Sequence, residues 1–188
     1  MSLHIAQDEH ADRVLSENPF ALLAGMMLDQ QFPMERAFAG PAKILDRFGT
    51  LDPASIAEAD PDEFAALCSQ PPAVHRFPGS MAARLQALAA HVVEQYDGEA
   101  ARLWDEAESG RELMKRLGAL PGFGKQKAQI FVALLGKQLG VRPPGWEEAA
   151  GAYAEAGAHR SVADVVDGPS LEKVRSFKKE QKAAARKG

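Results

Sequence analysis

Apolar residues recur along this chain at intervals of three and four, and no stretch alternates with the period of two that a half-buried strand requires. The pattern predicts an all-α protein with on the order of ten helices. Asn18-Pro19 opens one helix, an acceptor ahead of a proline whose fixed φ suits a first turn, with Phe20, Leu22, Leu23, Met26 and Met27 as its inward stripe. A second starts after Phe32-Pro33, runs through Met34 and Phe38, and should end near Gly40, because Pro41 brings no N–H to the helical ladder. Pro41 to Phe48 forms a third, closed by Gly49. Asp52-Pro53 and Asp60-Pro61 each start a short helix, and Pro71-Pro72 breaks the chain. Ser80 is then expected to cap a long helix through Met81, Leu85, Leu88 and Val92 to Tyr96. Leu103 and Trp104 seed another short one. Gly110 to Leu117 and Lys125 to Leu139 form a pair joined by a tight turn, Trp146 to Tyr153 follows Pro143-Pro144-Gly145, and a last helix follows Pro169.

The turn between the paired helices carries the most chemistry. It reads Leu117-Gly-Ala-Leu-Pro-Gly-Phe-Gly-Lys-Gln-Lys-Ala128, with Gly122 and Gly124 one residue apart. Such a bend lets backbone N–H groups turn outward at a helix start, where the dipole favours an anion, and Lys125 and Lys127 flank it. That combination suits a phosphate of a polynucleotide backbone.

Leu120-Pro-Gly-Phe-Gly124 followed by the small Ala128 resembles the helix-hairpin-helix motif of the base-excision DNA glycosylases. Ala24-Gly-Met-Met-Leu-Asp-Gln-Gln31, about 90 residues earlier, resembles the same family's early helix ending in Gln. His75-Arg-Phe-Pro-Gly-Ser-Met-Ala82 and Val141-Arg-Pro-Pro-Gly-Trp-Glu-Glu-Ala-Ala-Gly151 resemble an actinobacterial-type subfamily of such proteins. The resemblance implies a single two-lobed unit over residues 1–188 with a cleft between the lobes. Residues 1–30 and 140–188 would form one lobe and 31–139 the other, with the hairpin at 111–139. It implies a DNA-binding base-excision repair protein acting as a monomer on lesion-containing or abasic duplex. Its DNA contacts would come from Leu120, Gly122, Phe123, Gly124, Lys125, Gln126 and Lys127 of the turn, with Gln31, then Gln30, at the cleft lip and Arg76 beyond.

Two departures from the family pattern bear on activity. The lysine that forms a Schiff base in members that also cut the backbone is replaced by Gln126, so an active protein would be a monofunctional glycosylase. The essential aspartate is missing, since Pro144 falls nearest its place. Glu147, Glu148 and Asp29 are the substitute carboxylates, and a catalytically silent lesion-sensing module is the alternative. Both Glu147 and Glu148 also fit the dipole of a helix's first turn as plain surface groups. Phe77 and Trp146 are the base-stacking candidates, each with a packed alternative in the core.

Cys68 is the only cysteine, so neither an internal disulfide nor the four-cysteine iron–sulfur loop of some family members can be built, and no organic or metal cofactor is expected. The one metal candidate is a monovalent cation on the main-chain carbonyls of Gly118, Leu120 and Phe123, as the resemblance implies. No apolar run suits a membrane span or a secretory signal, which gives a cytoplasmic, nucleoid-associated expectation. The formal net charge is −4; Leu171 to Gly188 hold seven Lys or Arg against two Glu, +5, leaving −9 on the rest. This basic tail fits either a DNA backbone or a solvated, fraying helix end.

Overall fold

Proline and short acceptor side chains set most of the helix starts. The computed structural model describes residues 2–187, and among these there is no strand. The helices are α1 (Glu9–Glu17), α2 (Pro19–Leu28), α3 (Met34–Phe48), α4 (Pro53–Glu58), α5 (Pro61–Ser69), α6 (Pro78–Tyr96), α7 (Arg102–Asp105), α8 (Gly110–Gly118), α9 (Lys125–Gln138), α10 (Trp146–Ala150) and α11 (Gly168–Lys187). Short 3₁₀ turns lie at Gly151–Ala154 and Val162–Asp164. Asn18, Asp52, Asp60 and Ser109 each accept a first-turn amide of the helix they precede, at 3.0–3.1 Å. A cap of this kind contributes about 1 kcal/mol to its helix.

The elements differ from the periodicity at α1, α3 and α6, and α10 stops at Ala150, where a 3₁₀ turn takes over the stretch expected to stay α-helical as far as Tyr153. The periodicity does not predict α1, because its buried positions include Asp12 beside Ala11, Val14 and Leu15, and its remaining face is charged. Asp12 is buried yet paired, accepting the Ala6 amide at 2.7 Å, and desolvation raises its pKa. The break expected at Gly40-Pro41 does not occur: α3 runs through Pro41, since both halves bury apolar residues on one face, Met34, Ala37 and Phe38 before it and Ala42 and Ile44 after. One lost ladder bond is outweighed by that shared burial. Finally, α6 starts at Pro78 with Phe77 as its flanking residue, so Ser80 sits inside the first turn.

The central element is α2, whose residues from Phe20 to Leu28 are all buried. It lies close on α3, because a Cβ on Gly25 would stand 2.5 Å from the Phe38 ring. α1 packs on α3, and α4 and α5 pack on α6. The hairpin helices α8 and α9 pack on α10, and α9 also on both 3₁₀ turns. The hairpin is thereby packed on the C-terminal segment, with α9 burying Phe131 to Gly136 beneath α10 and the turns. One continuous core joins the whole, from Leu3 to Val174. No described helix is long and apolar enough to cross a membrane.

Candidate nucleic-acid interface

The bend between α8 and α9 is held from within by its apolar residues. Leu120 and Phe123 are buried, with Phe123 edge-on to Phe131 at 6.2 Å. Their side chains are therefore packed inward rather than presented at the surface. The Phe123 amide donates to the Leu120 carbonyl at 3.1 Å, closing the turn. Gly122 sits at φ +81°, the left-handed region that favours glycine, and a Cβ there would stand 3.0 Å from Met27 Cγ. Gly124 has φ −88° and open space around it.

Among the described residues, no protein acceptor pairs with the amides of Gly122, Gly124, Lys125, Gln126 or Lys127. Gly122, Gly124, Lys125 and Gln126 are exposed. Several backbone donors at the positive end of a 14-residue helix thus point away from the protein. Of the candidate cation carbonyls, that of Leu120 already accepts from Phe123, while those of Gly118 and Phe123 meet no donor among the described residues.

The two lysines of the turn part company. Lys125 is exposed, but Lys127, two residues on and therefore about 200° around the helix, turns inward. Its ammonium donates to the carbonyls of Met26 (2.7 Å), Asp29 (3.1 Å) and Met27 (3.3 Å), closing the C-terminal end of α2 where free carbonyls and the dipole attract a cation. The expectation that Lys127 reaches a phosphate is corrected accordingly. Burial pushes its pKa down to about 8, with Lys178 and Arg84 adding to the fall and Asp29 opposing it. Gln126 lies between the two lysines and donates to the Tyr153 hydroxyl at 2.9 Å.

Lys127 fastens the hairpin to the Asp29-Gln30-Gln31 loop, so the two segments singled out in the sequence meet in space. Gln30 is consumed there: its amide nitrogen donates to Met27 O at 2.8 Å and its Oε1 accepts from Arg84 at 3.0 Å. Gln31 is the open one, exposed, at φ +53°, with no partner among the described residues. His75, buried, braces the same loop. The Phe77 amide donates to its Nδ1 at 3.0 Å, so the ring proton lies on Nε2, which donates to the Gln30 carbonyl at 2.8 Å. Desolvation lowers the His75 pKa, in keeping with a neutral ring. Beyond it Phe77 is 44% exposed, with the exposed Arg76 guanidinium 5.3 Å from its ring centre.

Of the carboxylate candidates, Asp29 lies against the hairpin, its side chain only 9% exposed and its Oδ2 3.7 Å from Lys178 of α11. Glu147 and Glu148 are exposed in the first turn of α10, without a hydrogen bond or ion pair among the described residues. The Trp146 ring is partly buried and packs on α9: a Cβ on Gly136 would come within 2.4 Å of it, and Arg142 lies 5.7 Å from the ring centre. Arg84, Tyr153 and Lys178 were missed as site residues. Lys178 alone left a signal, the basic run around it, while Arg84 and Tyr153 stand far in sequence from the groups they bind.

A family model described as HhH-GPD superfamily base excision DNA repair protein matches residues 24–187, which takes in the Asp29 loop, the hairpin and all of α11. No curated protein and no solved structure gives a match to the chain. The match spans most of the sequence, and the helical architecture agrees with it. The chain therefore belongs to the HhH-GPD superfamily, whose members repair DNA by base excision.

Proposed function

We propose that this protein grips lesion-containing or abasic duplex DNA through the Leu117 to Ala128 turn and removes a damaged or mismatched base as a monofunctional DNA glycosylase. The observation that carries this reading is the set of open amides at Gly122, Gly124 and the start of α9, beside a loop that presents the unengaged Gln31. Such amides seat a phosphate oxygen. An amide side chain donates and accepts at once, which suits the gap left by an extruded nucleotide. Gln31 keeps a left-handed backbone at a cost of order 1 kcal/mol, a feature that concentrates at functional sites. Phe77 and Arg76 offer a stacking face and a cation to the neighbouring strand. The free carbonyls of Gly118 and Phe123, with that of Leu120, suit a monovalent cation facing the same phosphate.

The chemistry of the amines favours base removal without strand cutting. A Schiff base needs an unengaged amine at the sugar, but that position holds Gln126, and the Lys127 nitrogen is bound to three carbonyls. For hydrolysis, an ionised carboxylate stabilises the oxocarbenium-like sugar, and Asp29 is the candidate beside the turn. A second reading, a catalytically silent lesion sensor, is favoured by the Asp29–Lys178 pair, because a neutralised carboxylate gives less to a cationic transition state.

Single-turnover excision on duplexes carrying alkylated, oxidised or deaminated bases, followed by borohydride trapping, tests both. Base release without a covalent adduct, abolished in Asp29→Asn while binding persists, supports the glycosylase. An adduct through Lys125 or Lys127 refutes the monofunctional assignment. Binding without excision of any base leaves the sensor, and no affinity for abasic or mismatched duplex at low salt removes both.

A further inference from the structure

We propose that the C-terminal half of α11 is a second nucleic-acid contact, an arm lying along the phosphate backbone of the duplex that the hairpin seats. The inference rests on the DNA-gripping reading above and adds a surface to it. At 100° per residue, Arg175, Lys178, Lys179, Lys182 and Arg186 fall within an arc of about 100° on one face of the helix. The root of this stripe is anchored in the candidate interface: Arg175 pairs with Glu35 at the start of α3, and Lys178 with Asp29 at the end of α2. Lys178 is also close enough to Lys127 of the hairpin helix to depress its pKa.

Those contacts fix the direction of the arm. Going along α11, the partners pass from Glu35 to Asp29, beside the hairpin, and the stripe then continues through Lys179, Lys182 and Arg186 with no partner among the described residues. From Lys178 to Arg186 the helix rises about 12 Å, the axial rise of about three or four base pairs. The last buried side chain is Val174, so no apolar burial holds the final turns. A polar helix end of this kind needs another source of order, and a row of cations finds one in phosphates. The charge division agrees: +5 sits on Leu171 to Gly188 and −9 on the remainder, so the protein's affinity for a polyanion is concentrated where α11 leaves the body.

The test is the triple variant Lys179→Gln, Lys182→Gln, Arg186→Gln, which touches no ion pair of the fold and keeps helix-favouring side chains. Affinity for an abasic duplex is read by fluorescence anisotropy across 50–200 mM salt, with Gly124→Val as the variant in which the hairpin grip is impaired. The arm predicts that the triple variant binds all sequences more weakly and that its log affinity against log salt is shallower by about 2.7. An unchanged slope in the triple variant, with binding lost in Gly124→Val, overturns the arm and leaves the hairpin reading standing. A triple variant that instead loses self-association in sedimentation, with DNA affinity intact, overturns it in favour of a second copy as the occupant. Wild-type protein with no affinity for duplex overturns the hairpin reading and the arm with it.

Discussion

Replacing Gly124 by valine separates the grip from the fold. The residue has φ −88°, a conformation open to any L-residue, and a Cβ built on it meets nothing within 4 Å. The substitution should therefore leave stability within about 1 kcal/mol of wild type, which for a chain of this size moves Tm by about 2–4 °C. On the ligand side the same open space is where a phosphate would approach the Gly124 and Lys125 amides. Loss of one hydrogen bond to a charged oxygen costs about 1.5–3 kcal/mol, or about 10- to 150-fold in affinity. Anisotropy with a fluorescent abasic duplex reads the binding, and thermal denaturation of the same sample reads the fold. Gly122→Ala provides the contrast. At φ +81° and with Met27 3.0 Å away, it should cost about 1–2 kcal/mol of stability before any ligand is added. If Gly124→Val melts like wild type and still binds with unchanged affinity, the outward amides are not the seat of the phosphate.

The inward turn of Lys127 and the packing of Trp146 carry three further outcomes. Lys125→Ala should flatten the salt dependence of DNA binding by about one unit of log–log slope, whereas Lys127→Met should leave that slope alone and lower stability, since three carbonyls lose their donor. Because Lys127 has a pKa of about 8 when folded and near 10.5 when unfolded, its unfolded state binds more protons between those values. Wild-type stability relative to Lys127→Met should thus rise from pH 8 towards 10.5 and lose that increment as pH falls through 8; denaturant titrations across this range check the sign, and a flat difference would contradict it. Gly136→Ala drives a methyl into the Trp146 ring and should cost about 1–3 kcal/mol, read as a fall in Tm, while Trp146 substitutions act on stability before they act on base recognition.

The site is assembled by side chains that brace one loop from three directions. Lys127 holds the Asp29 carbonyl from the hairpin, Arg84 holds the Gln30 side chain from α6, and His75 holds the Gln30 main chain from the segment before it. Gln31, next in line, is left exposed at the point where these supports end. Bracing of this kind holds the loop while the Gln31 amide makes no hydrogen bond among the described residues.

The sequence by itself determined the all-helical class, most helix starts and the bend with its outward amides. These depend on interactions between residues at most four apart: an Asp or Asn ahead of proline, a serine cap, two glycines where a turn must be tight. The same local reading failed at Pro41, where burial on both sides of the proline carried the helix through. Only the tertiary structure decided which of two adjacent glutamines is free, which of two nearby lysines stays exposed, and which carboxylate stands at the hairpin. Gln30 and Gln31 are identical in sequence terms, but Arg84 and Met27 take the hydrogen bonds of one alone. Lys127 is turned from solvent by carbonyls at the far end of α2, and Asp29 meets Lys178 across almost the whole chain. Side-chain direction is set by helix phase together with whatever packs opposite, and those opposing groups are brought up by folding rather than by neighbouring positions in the chain.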